Sequence, residues 1–296
     1  GTWWYHWHFA LQAWNGVFGG FIINGPATAD YDVDLGNLFL NDWTHQTIDE
    51  LYLTAETSGP PTLDNGLING TNIYDDAGSR FETTLDSGTS YRLRLVNGAM
   101  DTHFKFMIDS HNLTVIATDF VPIVPYTTEA LSIGIGQRYD VIVTANQTAD
   151  NYWMRAIPQS SCSDNDETDN ILGIIRYDST STDDPSTSAY DYDDSCDDED
   201  VADLVPYLSM TVDNYTVSDP EAVTVGKVNS LFKWYMEATT FLVDWAEPTL
   251  LDIYDNGTAS TFTSDQHVLQ VDDADEWVYI VIQTTQTVPH PIHNHG

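Results

Sequence analysis

Basic residues are scarce in this chain. Lys and Arg number 9 against 46 Asp and Glu in 296 residues, a formal charge of −37 at pH 7. Phosphate recognition needs clustered Lys and Arg, so nucleic acid and anionic membranes are poor partners for it. No apolar run approaches the roughly 18 residues of a membrane span. Cysteine is equally sparse, with only Cys162 and Cys196. Each lies in an Asp- and Ser-rich stretch (SSCSDND and DDSCDDED), where neither a buried thiol nor a reactive thiolate is favoured. A Cys162–Cys196 disulfide is therefore expected. Closing so long a loop is worth about 4 kcal/mol on the chain-entropy account, and it implies an oxidising compartment. The chain begins with Gly, inside what reads as a strand, and stops after a histidine cluster, so it reads as an internal segment of a longer protein.

Hydrophobic residues make up 42% and aromatics 12%, far more than a solvated chain carries, which suffices for one large or two ordinary domains. The acidity fits a secreted protein working at low pH or in salt, where protonation or screening relieves self-repulsion. Sequons at Asn69, Asn112, Asn146, Asn214 and Asn256 agree with secretion. The texture is one of short alternating segments such as TSYRLRLVNG, HFKFMIDSHN and QRYDVIVTAN, with turns near every ten residues. That spacing predicts an all-β chain of β-sandwich domains, without a long helical period. From 179 to 203 the composition shifts to Asp, Ser, Thr and Pro, which reads as a solvated connector stapled by the disulfide. LFKWYM, TFLVDW, HVLQV and EWVYIVIQTT are the strands expected after it.

Nine His are present, and five fall in the two terminal stretches GTWWYHWHF and HPIHNHG. In a strand, His6 and His8 share a face while Trp7 points away, and His293 and His295 repeat the pattern. His290 falls on the opposite parity and is expected to serve a different site, stiffened by Pro289 and Pro291. Imidazole-only ligation suits copper, zinc, iron or nickel, with copper favoured by the Irving–Williams order. A zinc hydrolase would add a carboxylate and a general base at tight spacing, and neither stretch contains an acid. His103 and His111, read as lying in one hairpin, and the isolated His45 and His267 are expected to be satisfied polar positions. The DDED run at 197–200 lacks the glycine and spacing of a calcium loop and reads as solvated connector.

GTWWYHWHFALQAWNGVFGGFIINGP resembles the second copper-binding segment of the multicopper oxidases, most closely of ascomycete-type fungal laccases: WYHSH, then QxxxGxxGxxIINGP. HPIHNHG resembles the opening of their third segment, HPxHLHG. DVDLGNLFLNDW, DNGLINGT, HNLTVIATDFVPIVPYTT, GQRYDVIV and FLVDWAEPTL extend the resemblance over nearly the whole chain. It implies cupredoxin-like Greek-key sandwiches: the end of a first domain at 1–30, a second at 31–180, an acidic linker at 181–204 and part of a third at 205–296. It further implies copper of types 1, 2 and 3. His6, His8 and His295 would bind the binuclear type 3 pair, His293 the type 2 copper and His290 the type 1 copper. Trp7 stands where the family usually has Ser, and Asn294 where it usually has Leu. Asp101 aligns with the family's pocket acid, which would accept the proton of a phenol.

The implied activity is oxidation of small phenols or arylamines coupled to reduction of dioxygen to water, by a secreted monomer. The family's HWHG and HCHxxxH segments, with the type 1 Cys, lie outside these residues, so the fragment alone is expected to be inactive. A ferroxidase-like oxidase is the near alternative. A non-catalytic, secreted copper-binding sandwich is the alternative from another class.

Overall fold

The computed structural model describes residues 1–212, 221–240, 243–257, 262–263, 266–269 and 277–295. In chain order the first strands are β1 (Thr2–His6), β2 (Phe18–Ile22) and β3 (Val33–Trp43), followed by helix α1 (Ile48–Ser58). Then come β4 (Asn65–Ile68), β5 (Ile73–Tyr74), β6 (Ala77–Gly78), β7 (Phe81–Thr84), β8 (Ser90–Asn97) and β9 (Phe104–Ile108). They are followed by β10 (Leu113–Thr118), β11 (Val121–Thr128), β12 (Leu131–Ile133), β13 (Arg138–Thr144), β14 (Asn151–Pro158) and β15 (Leu172–Arg176). Two compact units result: Gly1–Tyr52, Pro60–Ser209 and Val288–Gly296 form one, and Leu53–Gly59 with Met210–Thr287 the other.

In the first unit a six-stranded sheet of order β11-β10-β13-β8-β3-β4 and a five-stranded sheet of order β12-β9-β14-β15-β7 share one apolar core. Leu93 and Leu95 of β8 and Val141 and Val143 of β13 enter it from one side, Phe104, Phe106 and Met154 from the other. Consecutive strands repeatedly change sheets, as β8 to β9 and β9 to β10 do, which makes this an all-β Greek-key sandwich. It also corrects the hairpin expected around His103 and His111, because β9 and β10 belong to different sheets. The turn between them closes locally through the His111 N–H, which donates to the Ile108 carbonyl at 3.0 Å.

Alternation along SYRLRLVN puts Arg92 and Arg94 on the face of β8 away from the core, yet both are buried. Thr2 at the start of β1 donates a short hydrogen bond to Asp140, which also accepts from Arg92 and, at 3.4 Å, from Arg94. Arg94 forks onto Asp34 at 3.0 and 2.6 Å and reaches the Thr2 hydroxyl at 2.9 Å. The ion-paired layer seats β1 on the sandwich, and Trp4, Phe39 and Val96 pack beside it.

One further expectation changes. The helix α1 was not anticipated, although TIDE carries a capping-box signal: the Thr47 hydroxyl accepts the Glu50 N–H at 3.3 Å, and Glu50 accepts the Thr47 N–H at 3.0 Å. The acidic connector is mostly exposed, as expected, yet it is tied to the sandwich by hydrogen bonds rather than loose. Thr187 donates to Asp109 at 2.7 Å, Asn151 reaches the Asp183 carbonyl at 2.9 Å, and Glu199 accepts the Ser132 N–H at 2.7 Å and the Tyr126 hydroxyl at 2.8 Å. Cys162 and Cys196 are disulfide-bonded. Asn69, Asn112, Asn146 and Asn256 are exposed, and Asn214 lies outside the described residues.

In the second unit β16 (Glu221–Val228) pairs with β17 (Leu231–Met236), which is LFKWYM, and a helix α2 (Thr249–Asn256) follows. The described part of EWVYIVIQTT, residues 277–285, is strand only at β18 (Ile282–Gln283), while TFLVDW and HVLQV fall partly outside the described residues. Among the described residues no helix is long and apolar enough to cross a membrane.

Asp140→Ala should lower unfolding free energy by roughly 3–5 kcal/mol, since it leaves two buried guanidinium groups short of their shared partner. Chemical denaturation measures this, and a loss below about 1 kcal/mol, the range of an exposed pair, would show that the layer is not what holds β1.

Candidate metal centre

The first pair of histidines is placed by β1. Trp4 and His6 share a face of that strand; the indole is 8% exposed and its ring lies 4.4 Å from the imidazole, so His6 stands on an anchored neighbour. His8 follows the strand end, and the Trp7 N–H extends the pairing by donating to the Val17 carbonyl at 3.1 Å. Trp7 itself is exposed.

The second pair arrives without a strand. No described residue from 284 to 295 is in a β-strand, where Pro289 and Pro291 could not donate to a ladder, so strand parity is not what arranges these histidines. Nevertheless they meet the first pair. His6 Nε2 lies 3.3 Å from His293 Nε2. The His295 ring centroid is 4.8 Å from that of His8, 4.7 Å from that of His293 and 5.4 Å from that of His6. One nitrogen each from His6, His293 and His295 falls within 4.8 Å of the others.

The chain packs a glycine against this cluster. Gly136 has φ +79°, and a Cβ there would sit 3.4 Å from His293 Nδ1. Nearby, Arg138 lies over the Trp3 ring at 4.4 Å, donates to the Gly136 carbonyl at 2.9 Å and pairs with Asp119 at 3.1 Å. Together with the four imidazoles it lines a cleft of about 240 Å³. Burial, and then the neighbouring His8, His293 and His295, push the His6 pKa down to about 4. Burial likewise lowers that of His293, with His295 and Arg138 adding to the effect. Neutral imidazoles with free lone pairs are what a metal needs, and an all-nitrogen donor set fits copper.

His290 goes elsewhere. It lines a separate cavity of about 170 Å³ with Asp101, His103, Asp198 and the two half-cystines. Burial first, and then the charge of Asp42, raise the Asp101 pKa to about 6; Asp164 contributes an opposing N–H and a reinforcing charge. His103 bonds Ser132 Oγ at 2.8 Å, and its pKa is pushed down to about 4 by burial and then by Lys105. Although His103 lies near both sulfurs, these are bonded to each other and offer no thiolate to a metal.

The other histidines take polar roles. His111 sits between the Asp109 carbonyl at 2.8 Å and the Tyr177 hydroxyl at 2.7 Å, His45 meets Asp64 at 2.9 Å, and His267 meets Glu221 at 3.0 Å. Sequence reasoning did not single out Gly136, Arg138 or Asp198. GQRYD offered no chemical pattern beyond a turn glycine, and Asp198 was hidden in the DDED run.

A family model described as multicopper oxidase matches residues 35–180, and a second of the same description matches 242–296. Laccase-2 of Botryotinia fuckeliana is 50% identical over 311 aligned residues, covering 100% of this chain and 53% of its own length. Laccase-3 of the same fungus is 38% identical, covering 100% of this chain and 69% of its own length. The solved laccase from Botrytis aclada superposes with a TM-score of 0.86 at 49% identity, over 90% of this chain and 50% of that one. The chain thus spans about half the length of the first of these relatives.

Gly136→Ala should cost about 1 kcal/mol through its left-handed φ, and the backbone shift that relieves this strain would displace the methyl's neighbour His293. The expected readouts are a lower melting temperature and weaker copper retention in equilibrium dialysis; unchanged retention would show that Gly136 does not place His293.

Proposed function

The chain belongs to the multicopper oxidase family, and from that premise we propose that the full-length protein is a secreted, monomeric laccase-type oxidase of small phenols and arylamines. The division at 1–30, 31–180, 181–204 and 205–296 into first-domain end, second domain, linker and part of the third belongs to the same reading. One observation carries it. His290, three residues from His293, lines a different cavity from the imidazole cluster, and that cavity also holds a carboxylate suited to a phenolic proton.

In this reading His6, His8 and His295 hold the type 3 coppers, His293 the type 2 copper and His290 the type 1 copper, with the remaining ligands supplied by the rest of the protein. When bound, copper would supply one-electron acceptance beside His290 and electron donation to dioxygen at the imidazole cluster. The chain's own residues do the rest. Asp101 accepts the hydroxyl proton of a bound phenol, which makes removal of an electron from the ring easier. Four such oxidations release the four electrons and four protons that turn one dioxygen into two waters. Trp4 shields His6 from solvent on one side, and Arg138 keeps positive charge beside His293.

Asp101 serves as a base only when ionised, so phenol oxidation should fall as pH drops through about 6. In the full-length enzyme Asp101→Asn should slow phenols by roughly 100-fold, the scale of a lost general base, and a proton-free donor such as ferrocyanide much less. Equal slowing of both would remove the base role. His6→Ala or His295→Ala should abolish dioxygen reduction while leaving the type 1 absorbance, and normal turnover in either would refute the ligand assignment.

A further inference from the structure

Residues 98–102, which carry Asp101, have no regular secondary structure, yet their backbone is tied down almost group by group. The Gly98 N–H donates to the Leu40 carbonyl at 2.9 Å, and the Gly98 carbonyl accepts from the Asn41 amide at 2.9 Å. Asn97 accepts the Ala99 N–H at 2.9 Å and donates to the Thr102 carbonyl at 3.0 Å. The Trp14 indole N–H donates to the Ala99 carbonyl at 3.1 Å. That leaves three consecutive N–H groups, those of Met100, Asp101 and Thr102. All three converge on one side chain: they reach the Asp42 carboxylate at 2.8, 2.8 and 3.0 Å.

Asp42 is the penultimate residue of β3, so the loop hangs from a rigid element of the six-stranded sheet. Burial raises the Asp42 pKa above the usual carboxylate value, and the three N–H donors oppose that rise by favouring the ionised form. The bonds also fix the donors, because an unpaired buried N–H costs about 1–3 kcal/mol. Asp42 does not line the cavity, so it has no reach to a substrate of its own.

We propose that Asp42 is a positioning residue of the substrate cavity, gathering three consecutive N–H groups so that Asp101 is presented to the substrate in one orientation. The inference rests on the reading of Asp101 as the pocket base. Because misplacement by about 1 Å can cost 100-fold in rate, a loop without secondary structure needs such an anchor to carry a proton acceptor. Asp42 also acts on Asp101 through charge: a carboxylate beside another opposes its ionisation. Around Asp101 the other charged or titratable groups are Asp164, and His103, Asp198 and His290 along the cavity wall. None of them bonds the loop's three N–H groups.

The sign of the effect separates this role from a merely structural one. Asp42→Asn removes the neighbouring charge, so Asp101 ionises at lower pH and the acid limb of the phenol kcat/KM profile moves to lower pH. Simple loosening of the loop lowers the rate at every pH and leaves the limb in place.

The test uses the full-length, copper-loaded enzyme with a phenol and ferrocyanide as parallel donors. The expected result for Asp42→Asn is a loss of phenol kcat/KM of roughly 10- to 100-fold, a smaller loss with ferrocyanide, and an acid limb displaced to lower pH. Equal losses with both donors and an unmoved limb overturn the proposal, as do wild-type kinetics. Should that variant fail to fold, Asp42→Glu decides, since it keeps the charge and lengthens the arm. It is expected to lose phenol turnover much more than ferrocyanide turnover, with the limb unmoved because the charge is kept, and wild-type phenol kinetics or equal losses with both donors overturn the proposal. Asp101→Asn, measured alongside, separates the two levels. If it slows both donors equally, the base reading itself fails; if it is selective for phenol and Asp42→Asn is not, only the role of Asp42 falls.

Discussion

Arg94 reaches from β8 to Asp34, Asp140 and the hydroxyl of Thr2, and a buried guanidinium deprived of those partners would cost several kcal/mol. That constraint sets where β1 lies. Since β1 ends at His6, the same buried charges that close the outer face of the six-stranded sheet also fix the height of the first imidazole above it. The arrangement is demanding, because an ion-paired layer tolerates less sliding than an apolar one: a shift of one residue would separate the charges. A metal centre assembled from distant segments benefits from such rigidity, as imidazole lone pairs must agree in direction as well as distance.

The sandwich was legible because its strands alternate cleanly, and Leu93, Leu95, Val141 and Val143 enter the core where period-two reading put them. What could not be read was pairing across sheets. HFKFMIDSHN and the strand after it look like a hairpin in one dimension, and only the crossing of the Greek key sends them to different layers. The contacts of the acidic connector were hidden for a related reason. Composition reports how many carboxylates there are, while Glu199 and Asp198 take their meaning from the N–H and amide groups opposite them, which lie more than 60 residues away in sequence.

The histidines were the most readable part of the site, because spacing within each terminal stretch is short and chemically narrow. Even there strand parity reaches only His6, where β1 ends with His8 two residues beyond it, while HPIHNHG reaches its place with two prolines and no ladder. The supporting residues were not readable at all. Asp42 sits in FLNDW as one acid among 46, and nothing local signals that three N–H groups from a segment 58 to 60 residues onward will close on it.

His6 and His293 touch although 287 residues separate them in sequence. During synthesis the first imidazole emerges early and waits for its partner, and at roughly 5–20 residues per second that interval is tens of seconds. For all of it the imidazole cluster is incomplete, because His293 and His295 have yet to arrive. The cluster is thus a late event in the life of the chain, formed only when residues 288–295 dock beside β1 on the same sandwich.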